Sequence, residues 1–489
     1  MMKTTWLVFL LLCSLTIVNA QQNKPIYKVE SMACLTSKGI VPFWLRSNQY
    51  GSIPIDNISM SLIGSMHKDY DSTKTHLIDW KAAFEGRINV GNKSNFTLIE
   101  GFGKIRISIF EMKAGRSKDI MGLCDSILSS GSFDVSGNAL GIPMVEISIP
   151  EFYNLPLFDN LFAFKGSYAH GWLGETPMMH DGIIYHRVTY YHQKSLYGRF
   201  GKPDWKLKLY GGFNHQVFWR NEKDYYGDLF TLSHFETYLY MIAGKPYGTI
   251  NIPTSKIGNH LGSIDLGFEY TFRNARLFVY RQSFYDCGAL YYLANIRDGL
   301  NGLSLVNTTN TNNGFKWERI LIEFLYTKNQ AGEFWSPYTP SGDENYYNNY
   351  QYAEGWSFQG VGIGTPFICS RTSIMKELPT DPNDYFINNR VIVIHFGFEG
   401  SIHNWDFILK TSYSLNYGTF GTSEVGHTLG KDRTLPMNGI FDETKQLSSY
   451  LEANKNLKGN LQFGFIVAFD VGSLYYDSFG FQLGISKSF

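Results

Sequence analysis

The stretch Ile78-Asp79-Trp80-Lys81-Ala82-Ala83-Phe84-Glu85-Gly86-Arg87-Ile88-Asn89-Val90 alternates with a period of two. Its even positions are apolar or small, while the odd ones are mostly charged or amidated, so an extended chain there has one greasy face and one wet face. The pattern returns in Ile264, Leu266, Phe268, Tyr270 and Phe272, which oppose Ser263, Asp265, Glu269 and Thr271. It returns again in Trp205, Leu207, Leu209, Gly211 and Phe213 opposite Lys206, Lys208, Tyr210, Gly212 and Asn214. A fourth copy runs Leu461, Phe463, Phe465, Val467, Phe469 and Val471, with Gln462 and Asp470 on the other side. Each stretch reads as a strand.

Soluble sandwiches also alternate, but three features point to a membrane. The strands are long, near the ~9–11 residues that a tilted membrane strand needs, against about 5–6 in soluble sheets. Trp80, Trp205 and Trp405 lie near strand starts, as an interfacial aromatic girdle requires. The chain finishes with Phe479, Phe481, Leu483 and Ile485 in one register and stops at Phe489, with Lys487 the exception. Such an ending resembles the signal read by the outer-membrane barrel assembly machinery, which is therefore an expected partner, together with outer-membrane lipid. Hydrocarbon cannot satisfy free backbone N–H and C=O groups, so the sheet is expected to close. The expected fold is all-β, a transmembrane antiparallel barrel of about 18 strands, an even number as in single-chain bacterial barrels.

Residues 1–20 read as a cleaved secretory signal: Lys3, an apolar run from Trp6 to Val18, and Val18-Asn19-Ala20 before Gln21. A lipoprotein signal at Cys13 is disfavoured by Leu12, where a small residue is wanted. The expected location is the outer membrane of a Gram-negative bacterium. Beyond the signal no stretch approaches the ~18 apolar residues of a spanning helix. Cys34, Cys124, Cys287 and Cys369 are scattered without a C-x-x-C pair, so no zinc site or dense disulfide scaffold is indicated, and their pairing stays open. Lys plus Arg equal Asp plus Glu at 43 each, which leaves no electrostatic footprint for nucleic acid. The 37 Phe, 32 Tyr and 10 Trp exclude a disordered chain.

Residues 21–75 alternate weakly and are assigned to an N-terminal segment holding a periplasmic element, the first strands, or both; 76–489 is assigned to the barrel. Counting back from a last strand that ends in the periplasm puts short turns at 201–204, 273–275, 401–404 and 456–459 on the periplasmic side. Long connections at 219–262, 285–316, 364–387 and 418–445 then lie outside. Residues 328–350 break the rule, coming out periplasmic despite their length, which implies a segment folded into the lumen or a missed strand.

Catalytic constellations were sought. Ser136 lacks the leading glycine of G-x-S-x-G. His170, His180, His186 and His192 do not form H-E-x-x-H, and no metal or cofactor is expected. Glu85 and Glu100 share their face with Lys81, Arg87, Lys104 and Arg106, which reads as a mutually neutralising ion lattice. Residues 345–358, Asn-Tyr-Tyr-Asn-Asn-Tyr-Gln-Tyr-Ala-Glu-Gly-Trp-Ser-Phe, mix flat rings with amides, a surface suited to sugars or, equally, a girdle or lumen filling.

Several short motifs resemble the capsule assembly protein Wzi family in the form common in Bacteroidetes-type genomes. They are Pro42-Phe43-Trp44-Leu45-Arg46-Ser47-Asn48-Gln49-Tyr50-Gly51, Gly212-Phe213-Asn214-His215-Gln216, Arg281-Gln282, residues 323–330, Gly355-Trp356 with Gly364-Thr365-Pro366, Asn389-Arg390-Val391 and residues 411–418. The resemblance implies an eighteen-stranded outer-membrane lectin, without catalysis, that holds exported capsular polysaccharide on the cell surface. Some members carry a periplasmic helical bundle, for which no long amphipathic helix is seen near this N-terminus. The expected polysaccharide contacts are Lys206, Lys208, Tyr210, Asn214, Gln216, Tyr346, Tyr347, Tyr352 and Trp356. The rival expectation is a porin-like diffusion or export channel.

Overall fold

The computed structural model describes residues 24–37, 40–55, 57–71, 77–92, 94–286, 293–309, 314–332, 342–429 and 432–489. The expected signal at 1–20 and Cys287 lie outside the described residues. One sheet of 18 strands closes on itself. Its strands are β1 Ile26–Thr36, β2 Ile58–Lys68, β3 Ile78–Val90, β4 Asn95–Ile107, β5 Phe110–Arg116 and β6 Met144–Asn154. They continue as β7 Phe162–His180, β8 Ile183–Phe200, β9 Leu207–Trp219, β10 Asn259–Thr271, β11 Ala275–Asp286 and β12 Gly299–Asn307. The last six are β13 Phe315–Tyr326, β14 Val391–Ile402, β15 Trp405–Asn416, β16 Thr444–Leu457, β17 Leu461–Gly472 and β18 Ser478–Ser488. Each strand pairs antiparallel with its sequence neighbours, and β1 pairs with β18 from Lys28↔Ser488 to Thr36↔Gly480, which removes both edges.

The alternation places the two faces. Trp80, Phe84, Ile88 and Val90 on β3, and Phe469 and Val471 on β17, are exposed on the outside, a band that only lipid would cover stably. The ion-paired residues of β3–β5 point inward, from odd positions on β3 and β5 and even positions on β4, and with Lys118 and Asp119 they form the expected ion lattice. Lys118 meets Glu85 at 2.7 Å, Lys104 meets Glu111 at 2.9 Å, Arg106 meets Asp79 at 3.1 Å, and Lys113 meets Asp119 at 3.0 Å.

Of the readings open for residues 21–75, the structure takes the first strands: β1 and β2 lie there, so the barrel begins at Ile26 and extends upstream of residue 76. Their signal is diluted by small Ser31 and Ala33 on the outside and by Met32 and Cys34 on the inside. The 285–316 connection hides β12, in which outward Asn301 and inward Leu300 blur the pattern. The parity of residues 328–350 is inverted for another reason: the backward count needs a barrel strand between 350 and 364, where the described residues form none. These residues belong to a single connection, 327–390, at the same end as the other long connections.

Among the described residues, one rim carries the short turns together with the start of β1 and the end of β18, where Phe489 N–H donates to Tyr27 O at 2.9 Å. The other rim carries the long connections 37–57, 117–143, 220–258, 327–390 and 417–443. These are called the turn rim and the loop rim below. Three short helices are needed here: α1 Phe43–Arg46, α2 Glu222–Tyr226 and α3 His234–Ala243.

Candidate functional site

Three connections turn inward from the loop rim and fill the upper lumen. In 117–143, the Glu323 carboxylate on β13 accepts from Ser129 Oγ at 2.8 Å and Ser130 N–H at 2.6 Å, while Asp265 on β10 accepts from Leu123 N–H at 2.8 Å. The wall thus presents acceptors to free amides of an irregular segment, which could not otherwise be buried. In 37–57, α1 sends Trp44 Nε1 to Ser412 Oγ at 3.1 Å, and Phe43 N–H to Asp470 Oδ2 at 2.7 Å. Residues 327–390 close over both. Tyr347 donates its hydroxyl to Phe133 O, and Trp356 Nε1 donates to Asp134 O at 2.9 Å. Gly364 permits the approach, because a Cβ there would stand 1.8 Å from Phe133 O.

The proposed sugar contacts are largely consumed by this plug. Tyr346, Tyr347, Tyr352 and Trp356 are buried; Trp356 stacks on Phe218 at 4.3 Å, and Tyr346 donates to Asp298 Oδ2 at 2.7 Å. Burial pushes the Asp298 carboxyl up to about 6, with the Tyr346 hydrogen bond and the Asn329 and Gln330 amides opposing the rise. Asn214 and Gln216 point inward from β9 but are fully covered, and Asn214 Nδ2 donates to Ser263 Oγ at 2.8 Å. Tyr210 packs between Phe152 and Phe278, Lys208 lies 4.0 Å from Glu269, and Lys206 sits exposed in the turn before β9. None of the four expected contact rings, Tyr346, Tyr347, Tyr352 and Trp356, offers a free face for stacking. The reason is physical: an irregular plug needs aromatic bulk for packing and hydroxyls or amides for its own backbone, the same chemistry that a sugar asks of a surface.

An open aromatic and polar cleft lies higher, at the loop rim. The β7–β8 hairpin projects beyond the plug, and the 349–353 segment braces it through Met179 N–H to Gln351 O at 2.7 Å. Against its inner side pack Asn221 and α2. Met178, His180, Tyr185, Arg187, Asn221, Asp224 and Tyr225 line about 260 Å³. Tyr185 is 40% exposed, and the Arg187 guanidinium lies 5.4 Å from its ring centre. His180 and Tyr225 rings are 4.5 Å apart, and Tyr225 continues to Tyr226 at 4.9 Å and Tyr350 at 6.1 Å. Asn221 donates from Nδ2 to Thr189 Oγ1 at 2.8 Å, while its buried Oδ1 has no protein partner. Rings, a carboxylate and a guanidinium therefore converge on one open space, the mixture that binds a hydroxylated ring. Sequence reading passed over this group because its members come partly from the β7–β8 hairpin and partly from connection 220–258; the run Tyr225-Tyr226 was the available signal.

Two groups of ligand-type side chains come close enough for a cation, His67 with Glu85 and Glu100, and Asp381 with Asp384 and His427. In both the charges are already matched: Glu85 holds Lys118, and His427 lies 3.4 Å from Asp343 and 3.7 Å from Asp384. Burial works against a charged imidazole, but the hydrogen bonds to Asp343 and Asp384 outweigh it and lift His427 to about 9. This pair of contacts clasps connection 417–443 to 327–390. Of the four expected histidines, His170 and His192 stand opposite each other on β7 and β8, both against Tyr238, while His180 and His186 lie further up the hairpin. Cys34, Cys124 and Cys369 are free thiols.

No family model matches the chain, and no curated protein matches it. Among solved structures it is similar to Escherichia coli Wzi, described as an outer-membrane protein involved in group 1 capsule assembly and a carbohydrate-binding β-barrel. The identity is 10% and the TM-score 0.53, over 94% of this chain and 83% of that one. Pseudomonas aeruginosa OpdL matches at 7% identity and TM-score 0.44 over 95% of this chain and 98% of that one. Acinetobacter baumannii OccAB4 matches at 8% and 0.46 over 96% and 100%. With eighteen antiparallel strands closed into a cylinder and an apolar exterior, the chain has the fold of an outer-membrane β-barrel.

Proposed function

We propose that this barrel is a non-catalytic polysaccharide-binding protein that holds exported capsular polymer at the cell surface, with the loop rim outward. The observation that carries the reading is the pairing of a filled upper lumen with an open aromatic and polar cleft directly above it. A closed barrel cannot pass a polymer through its centre in this state, yet it presents a rigid platform to one. The family resemblance of the sequence motifs supports the same reading. Tyr185 and Tyr225 would stack on pyranose faces, Asp224 would accept hydrogen bonds from hydroxyls, and Arg187 would favour a uronate or another acidic sugar.

Glycan-array binding by the detergent-purified protein tests it: retained binding that falls in high salt is expected, and no binding by a folded barrel would overturn it. In cells, loss of the protein should release polymer into the medium without stopping its synthesis. A second reading, a diffusion channel, is favoured by the charged and open lower lumen, where Lys28, Glu30, Lys104 and Arg106 keep partial exposure. Planar-bilayer recording separates the two, because steady conductance of open-channel size would favour the channel.

A further inference from the structure

The outer wall is not apolar all the way round. On β8 the outward series from the turn rim is Phe200, Gly198, Leu196, and then Lys194 and His192. On β17 the same count gives Leu461, Phe463, Phe465, Val467, Phe469 and Val471. A spanning strand of about 9–11 residues has five or six outward positions, so Lys194 and His192 fall at hydrocarbon depth. His215 on β9 sits across from Lys194, and His260 on β10 follows in the row of His192 and Val217. Four polar side chains thus make a patch on a face that elsewhere meets lipid. Exposed there they would be costly.

They are not exposed, because the connection 220–258 folds back over the outside of the barrel. His192 and His260 are fully buried. Tyr238 of α3 packs 5.4 Å from Trp219 and 6.4 Å from His192, and its hydroxyl meets that of Tyr168. Lys194 Nζ donates to Ile242 O, and His215 Nε2 pairs with His260 Nδ1 at 2.8 Å. Around these contacts Val217, Trp219, Phe230, Met241, Ile252 and Ile257 form a core of their own, separate from the lumen. The helix is built to hold its place: Ser233 and Glu236 make a reciprocal cap at its start, and Gly244, at φ +59°, ends it.

The strap's outward face is apolar in turn. Phe235 is 69% exposed, Leu239 47%, Leu229 48% and Ile250 wholly exposed. We infer that this strap is a membrane-embedded element, and that its exposed face is occupied by acyl chains of the outer leaflet, replacing the wall of β7–β10 as the lipid contact. Its continuity with the wall's own lipid band, through exposed Leu196, Leu209 and Phe213 immediately below, argues for lipid over a protein partner.

Site-directed spin labelling tests the assignment. Leu239→Cys and Ile250→Cys would be labelled separately, in a background with the native cysteines replaced, and reconstituted into phospholipid vesicles. Phe213→Cys serves as the wall control and Tyr350→Cys as the loop-rim control. Heat-modifiable gel mobility selects folded protein. Both strap labels should collide with oxygen in preference to a water-soluble nickel chelate, as the Phe213 label does. Labels that follow Tyr350 would overturn the proposal. So would labels shielded from both reagents in native membranes but not in vesicles, since that outcome would assign the face to a protein partner. Two positions keep the test valid if one variant fails to fold.

Discussion

The two halves of the lumen are built from the same strands yet solve opposite problems. Toward the turn rim, inward charges pair with one another across neighbouring strands, as Arg106 does with Asp79 and Lys104 with Glu111, and they keep contact with water. Toward the loop rim, inward polar groups serve the backbone and side chains of an inserted plug, as Glu323 does for Ser129 and Ser130. The difference shows what a charge on a barrel's inner face is for. Paired in water it contributes little to stability, and aimed at a buried loop it decides whether that loop can be there.

The largest break in this contrast is expected from Glu323→Ala. It strips acceptors from Ser129 Oγ, the Ser130 amide and the Tyr280 hydroxyl, and orphaning such buried donors should cost the plug about 3–5 kcal/mol. Proteolysis within 117–143 and a rise in single-molecule conductance report it; an unchanged, closed barrel would refute the anchoring role. Trp356→Ala should follow at about 3 kcal/mol, by removing a fully buried ring and its bond to Asp134 O, read by the same cleavage assay.

The clasp at His427 has a defined pH dependence. Its pKa is raised from an ordinary 6.5 to about 9, so its contribution is fully present below the unfolded value and is lost as pH rises through the folded one. The window runs from about pH 6.5 to 9 and carries about 2–3 kcal/mol. Cleavage of the 417–443 connection should accelerate across that window, and His427→Ala should abolish the acceleration. Tyr185→Ala and Tyr225→Ala should each weaken sugar binding by about 1 kcal/mol, roughly fivefold, without changing heat-modifiable mobility. Smallest of all, Lys104→Ala in the watery half should cost under about 1 kcal/mol, measured by thermal unfolding in detergent.

Where one face of a strand met lipid and the other met charge, the two-residue period was enough to read the fold: β3, β9, β10 and β17 were legible residue by residue, and so was their closure into about eighteen strands. Legibility failed where a third surface entered. β12 has an inward Leu300 because the plug lies against it, and an outward Asn301 because Arg281 hydrogen-bonds to it at 2.7 Å. Local alternation cannot announce a loop that arrives from elsewhere in the chain. The same blindness hid the strap, whose trace is Lys194, His192, His215 and His260 interrupting a greasy face. It also turned the Tyr-rich run at 345–358 into an apparent surface, since rings with polar handles suit both a sugar and a buried, irregular backbone. The cleft at Tyr185 and Tyr225 required the fold itself, because its lining is gathered from a strand hairpin and from the start of connection 220–258.

The bonds from Tyr347 and Trp356 to the carbonyls of Phe133 and Asp134 tie the upper layer of the stopper to the lower. Neither layer can swing aside alone without stranding polar atoms of the other in a dry interior. Any unblocking of this cylinder would therefore be all-or-none, with intermediate, half-ajar conductance levels absent from a recording.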